Sequence, residues 1–310
     1  MKKLLLICVL ITGQLFSQDN YVESFLSEIF SQYPSVRDIS ISQNQDEIYF
    51  SAQSFFGELS TIVVIKKVKN KWSEPRITSF SGQFHDLEPF LSPDELKLYF
   101  ASNRPVSIDN SEPKDYDIWF VERSSKSEEW SVPKNIGAPI NTEKNEFYPA
   151  VSSNGNLYFT SDWDSSKGKD DIFFSKFENG KYTTPISLST GINSDGYEFN
   201  SFISPDENIL VFSGYNRKDG KGSGDLYISF KDGVNWSIAT NLSNFNSKHM
   251  DYCPFIDFQS NTIYFTSKRN DTKSHFQNKK NLDEFQKEFQ KYSNGLSRIY
   301  KASFSFNMDE

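Results

Sequence analysis

The chain has 310 residues, a formal net charge of −8 and a hydrophobic fraction of 36%, with 29 Phe, 15 Tyr and only two Cys. An acidic balance repels phosphate backbones and anionic lipid, which argues against a nucleic-acid partner, and so few cysteines leave little room for a disulfide framework. Stability has to come from a core rich in aromatic side chains, which supply a large apolar area per residue.

At the start, Lys2 and Lys3 precede an apolar run from Leu4 to Phe16, which ends at Ser17 before Gln18 and Asp19. The run is shorter than the roughly 20 residues needed to span a bilayer, so residues 1–17 read as a secretory signal peptide cut after Ser17. Cleavage removes two lysines and no acid, moving the formal charge from −8 to −10, and leaves Cys253 as the only cysteine. The expectation is a soluble periplasmic or secreted monomer with no membrane-spanning segment after cleavage. Residues 18–35 form an N-terminal segment in which Val22, Phe25, Leu26, Ile29 and Phe30 fall at helical spacing. They predict a helix packed on the following domain, with a closing β-strand as the alternative.

From residue 36 the chain repeats itself, with copies at about 36–85, 86–145, 146–197, 198–250 and 251–304. Each copy opens with a short strand and a polar turn, seen in DLEPFLSPDE from Asp86 and EFNSFISPDE from Glu198 and more loosely from Val36, Glu146 and Asp251. A second strand follows and carries a pair of large residues: Tyr49-Phe50, Tyr99-Phe100, Tyr158-Phe159, Val211-Phe212 and Tyr264-Phe265. A third starts at Asp117, Asp171 or Asp225, with variants at Thr61 and Arg298, and those recurrent aspartates read as parts of the repeat itself. The fourth opens with an aromatic residue at Trp72, Trp130, Tyr182 or Trp236. Alternating β-branched and aromatic residues between turn signals mark strands. Four strands per unit at this period predict an all-β propeller of about five to six four-stranded blades. The fifth copy contains a helical insertion at about 281–295, where Asn281 and Glu284 form a capping-box start and Asn294-Gly295 an end.

The Ser92-Pro93-Asp94 and Ser204-Pro205-Asp206 turns, with the third-strand starts at Asp117, Asp171 and Asp225, carry a resemblance over roughly residues 36–304. The chain is similar to the TolB-like, WD40-like repeat propellers of exported bacterial proteins. The resemblance implies an envelope interaction module, and leaves the partner unnamed.

In such a propeller the first strands line the central channel, and the second-to-third loops crowd one face. Those loops are long here, at 103–116, 162–170, 214–224 and 268–297, and long loops on a rigid scaffold carry recognition. Aligned first strands put Asp86, Glu146, Glu198 and Asp251 at one equivalent position near the channel mouth. Two readings of that ring stay open: acids bonded to a neighbouring blade, or an oxygen-rich set for a Ca²⁺ ion or a cationic ligand. Arg104, Trp163, Tyr215 and Arg269 lie just past the second strands on the same face and complete the candidate binding set. The expected ligand is an envelope or extracellular protein, peptide or glycan, with no cofactor required. The rival is a glycoside hydrolase or sialidase-like enzyme using carboxylates at the channel mouth. No nucleophile elbow, phosphate-binding glycine loop or paired-histidine metal motif occurs in the chain.

Overall fold

The computed structural model describes residues 21–107 and 112–305. The expected signal peptide lies outside the described residues. Five antiparallel sheets follow one another along the chain, each running outward from an inner strand. The inner strands are Ser35–Ile41, Asp86–Leu91, Glu146–Val151, Tyr197–Ile203 and Asp251–Asp257. They contact one another from blade to blade, so the sheets stand radially around a common axis. The propeller therefore has five blades, the lower end of the range that the repeat allowed.

The paired large residues explain why the blades adhere. Adjacent residues in a strand point to opposite faces, so each Tyr-Phe pair serves two neighbouring interfaces. Phe100 packs with Tyr49 and Ile62 of blade 1, Phe159 with Tyr99 of blade 2, Phe212 with Tyr158 of blade 3, and Phe265 with Val211 of blade 4. Phe50 closes the sequence against Tyr264 and Ile299 of blade 5. Every one of these side chains is buried. The hydrophobic core is thus a set of layers between blades, and no blade could bury its faces alone.

Polar residues fix the spacing between those layers. Asn193 accepts from the Ile172 amide at 3.0 Å and donates to the Ile172 carbonyl at 2.9 Å, stitching the end of blade 3 to its third strand. Asn141 repeats this with Ile118, and Asn246 with Leu226. Among the third-strand aspartates, Asp171 accepts the Lys167 and Gly168 amides, a structural role of the kind its recurrence implied. In blade 4 the corresponding loop presses on the segment leading into blade 5, where a Cβ at Gly222 would come within 1.8 Å of the His249 carbonyl oxygen, so only glycine fits. We expect Asn193→Ala to cost about 1–3 kcal/mol, because it leaves the buried Ile172 amide without its acceptor and takes a donor from the Ile172 and Leu188 carbonyls. Urea denaturation measures this, and a loss below about 0.5 kcal/mol would mean that the asparagine is not a structural pin.

Blade 5 takes its outer strand from the other end of the chain. Glu23–Ser24 pairs antiparallel with Lys301 and Tyr300, and the one-turn helix α1 (Ser27–Phe30) follows. The helical spacing predicted a packed helix in this segment; the structure has both that helix and the closing strand offered as its alternative. Phe25 and Phe30 set the order, since Phe25 must reach Tyr264 while Phe30 enters the blade 5–blade 1 layer. The insertion in blade 5 contains helix α2 (Leu282–Phe289), with the expected capping box between Asn281 and Glu284. It ends before the expected Asn294-Gly295 stop, because the chain has to deliver Tyr292 to the blade, where its hydroxyl donates to the Ile299 carbonyl at 2.7 Å. No helix among the described residues is long and apolar enough to cross a membrane.

Candidate functional site

Each inner strand contains a bulge, and the bulged residue is left-handed in all five blades: Asp38, Glu88, Tyr148, Asn200 and Cys253, with φ between 51° and 63°. None of the five is glycine, so each position holds roughly 1 kcal/mol or more of backbone strain. The bulge breaks the strand's alternation. It turns these five side chains to the axis, two residues beyond the ring of acids aligned from sequence.

The four aligned acids are buried beside the loops. Asp86 accepts from Ser81 and Ser102 and pairs with Arg104 at 2.6 Å. Glu146 accepts from Thr142 at 2.6 Å and from the Trp163 indole at 2.8 Å. Glu198 accepts from Ser194 and pairs with Arg217 at 2.9 Å, and Asp251 accepts from Ser247 and faces Arg269 at 3.4 Å. Each acid thus ties down the loop arriving from the preceding blade. Burial pushes Glu146 up to about 7 despite its hydrogen bonds from Thr142 and Trp163. The structure brings Arg104, Trp163 and Arg269 to these acids, and their aromatic or guanidinium planes pack on strand residues such as Phe100, Phe173 and Phe265. Tyr215 does not join Glu198; it is 37% exposed and meets Tyr197 edge-on at 5.8 Å. Arg217, not singled out in the sequence, takes the place beside Glu198. Among the described residues no three or more His, Cys, Asp or Glu come together as a metal-holding group.

The axis is organised by Arg37. Its Nε meets Asp38 at 2.8 Å, and its Nη2 donates to the Tyr148 hydroxyl at 2.7 Å and lies 3.4 Å from Glu88. One guanidinium therefore links side chains of blades 1, 2 and 3, and Tyr252 of blade 5 stacks against it at 5.3 Å. Cys253 donates its thiol to Asp38 at 2.6 Å. Asp38, Glu88, Asn200 and Cys253 are at most 6% exposed, so the axis is closed at this depth.

Burial alone would disfavour the Arg37 cation, but Asp38 and the surrounding acceptors outweigh it and hold the group charged. Glu88 shares that environment and is pushed up to about 8 by burial and by the charge of Asp38, against the pull of Arg37. Glu88 is thereby held toward its neutral form, beside the ion pair that Arg37 makes with Asp38. Burial and Asp38 drive the Cys253 thiol well above the usual range, so it is no nucleophile. Asn200 occupies the fourth position of the axial set, and neither of its amide atoms has a partner among the described residues.

Above this plug the mouth is aromatic. Tyr116 contacts Phe147 at 4.8 Å, Phe147 contacts Tyr148 at 6.0 Å, and Tyr148 contacts Phe199 at 6.2 Å, a continuous strip from blade 2 to blade 4. His85 hydrogen-bonds the Tyr116 hydroxyl at 3.0 Å at its edge.

No protein-family model matches the chain, and no curated protein does. Solved structures do. A glycoside hydrolase superposes with a TM-score of 0.56 at 7% identity, over 89% of this chain and 91% of that one. The α-L-arabinofuranosidase of Lactobacillus brevis gives 0.52 at 12% identity, over 90% and 95%. TolB from Acinetobacter baumannii gives 0.49 at 14% identity, over 88% of this chain and 55% of TolB, so the chain spans about half of that protein. At such identities the likeness establishes the propeller fold and nothing finer.

Proposed function

We propose that the chain is an exported binding module of the TolB-like, WD40-like kind, presenting its loop-rich face to a protein, peptide or glycan. The observation that carries this reading is the position of Arg37. Its guanidinium sits between the two axial carboxyls, so neither is open to a substrate, while Tyr197 and Tyr215 beside the long loops are exposed. Export rests on the leader reading of residues 1–17. Tyr197 and Tyr215, 39% and 37% exposed, are the natural anchors, because rigid amphipathic rings bind at low entropy cost.

In a screen of immobilised glycans and peptides, we expect the double variant Tyr197→Ala, Tyr215→Ala to weaken the strongest ligand by about ten-fold or more, with an unchanged melting temperature. Equal binding by that folded variant would remove this surface from the proposal. One observation favours a hydrolase as the second reading, in which Arg37 would have to swing aside: burial and Asp38 push the Glu88 carboxyl up to about 8, as in the acid of a glycoside hydrolase's carboxyl pair. Release of nitrophenol from aryl glycosides, abolished by Asp38→Asn, would put that reading in place of the first.

A further inference from the structure

We infer that the wedge between blades 2 and 3, on the face opposite the long loops, is a second binding site, for a planar ring compound carrying an acidic group. This inference is independent of the mouth.

Equivalent wedges between other blades are filled differently. Between blades 1 and 2, Trp130 packs on Tyr49 with its indole N–H on the tyrosine hydroxyl, and Arg123 lies 4.4 Å over the indole while pairing with Glu47 at 2.9 Å. Between blades 3 and 4, Trp236 packs on Tyr158, and Lys231 lies 5.6 Å over the indole while pairing with Glu207 at 3.3 Å. In both, a tryptophan and an ion pair fill the gap. Between blades 2 and 3 neither is present. The aromatic position is Tyr182, and Lys97 stands where blade 1 has Glu47. No carboxylate comes within ion-pair distance of Lys97 among the described residues, and its ammonium hangs 5.2 Å over the Phe120 ring.

What remains is an open groove of about 840 Å³, within the roughly 300–1,000 Å³ typical of small-molecule pockets. Its walls are two aromatic pairs, Tyr99 with Phe120 from blade 2 and Phe177 with Tyr182 from blade 3, at 5.9 Å and 5.0 Å between ring centres, with Tyr99 and Tyr182 hydrogen-bonded to each other where the walls meet. Gly155 fixes the second pair, since its Cα side lies against the Phe177 ring, where an added Cβ would come within 3.0 Å. Lys97 and Lys181 line the groove, and the one acid lining it, Asp94, already accepts from Ser92 and the Leu96 amide. Flat apolar walls select a planar ring; Lys97 feels Glu122 across the strand pair, but neither lysine is in ion-pair contact with a carboxylate among the described residues, which favours a negative substituent.

The probe is anilinonaphthalene sulfonate, with uncharged phenylnaphthylamine as its control. We expect saturable fluorescence binding of the sulfonate at one site. Tyr182→Trp, which introduces the side chain of the two compared wedges, should weaken it by about ten-fold or more while holding or raising the melting temperature. Ser153→Trp, on the exposed rim, should block the groove without touching the core and so guards against a folding defect. Lys97→Met should weaken the sulfonate about five-fold and leave the uncharged analogue unchanged. Absence of saturable binding, or unchanged binding by the folded Tyr182→Trp and Ser153→Trp variants, would overturn the inference.

Discussion

Arg37→Met is expected to destabilise the propeller by about 3–5 kcal/mol, the usual consequence of removing one member of a buried charged network. Methionine keeps the volume and removes the cation, so Asp38 loses its counter-charge at 2.8 Å and the Tyr148 hydroxyl its donor at 2.7 Å. The effect should depend on pH in a direction set by Glu88. Its folded-state value is raised, from 4.5 to about 8, so between those limits the native state binds more protons than the unfolded chain. By linkage, this group's contribution is greatest below pH 4.5 and is lost as the pH rises through 8. Glu88→Gln fixes the neutral form, so the variant should lose that downward slope and be more stable than the parent at pH 8. Urea melts from pH 5 to pH 9, on parent, Arg37→Met and Glu88→Gln, test both statements. A parent whose stability is flat across that range, or an Arg37→Met loss under about 1 kcal/mol, would show that the axis is not an electrostatic plug.

The architecture was legible because the repeat writes it five times. The aromatic pairs recur in nearly every copy, and the Ser-Pro-Asp turns and third-strand aspartates in two and three of them at the same offsets; a residue that recurs so serves the blade. The same logic hid the axis. Asp38, Glu88, Tyr148, Asn200 and Cys253 occupy one structural position with five different identities, so no repeated letter marks it. The bulge that turns them inward is a backbone feature without a residue signature here, since none of the five is glycine. One signal was available: Arg37 aligns with Leu87, Phe147, Phe199 and Tyr252, an arginine where the other copies carry large apolar residues. A charge at an apolar repeat position has to find partners, and its nearest candidate is its own neighbour Asp38. The ring acids recur for the opposite reason, and the structure agrees with the first of the two readings, acids bonded to a neighbouring blade's loop. Their recurrence reflects the shared task of tying down a loop, as the pairs Asp86–Arg104 and Asp251–Arg269 make plain.

Ring closure yields the other large expected effect. Phe30→Ala should cost about 3–5 kcal/mol, the range for removing a buried aromatic ring. The closing strand is only two residues long, and its pairing with Tyr300 and Lys301 cannot by itself hold the first and last blades together. The hold comes from two aromatic residues. Phe25 meets Tyr264 of blade 5 at 4.8 Å, and Phe30 meets Phe50 of blade 1 at 5.0 Å, so the segment from 23 to 30 clamps both sides of the seam. Losing Phe30 opens a cavity in the layer between those blades, and release of the strand would leave Arg298–Ser303 as an unpaired edge. The control is Phe289→Ala on helix α2, a ring 67% exposed, for which about 0.5 kcal/mol or less is expected. If the two variants melted together in urea, the clamp would have no energetic content, and the ring would have to be closed by contacts between blades 5 and 1 alone.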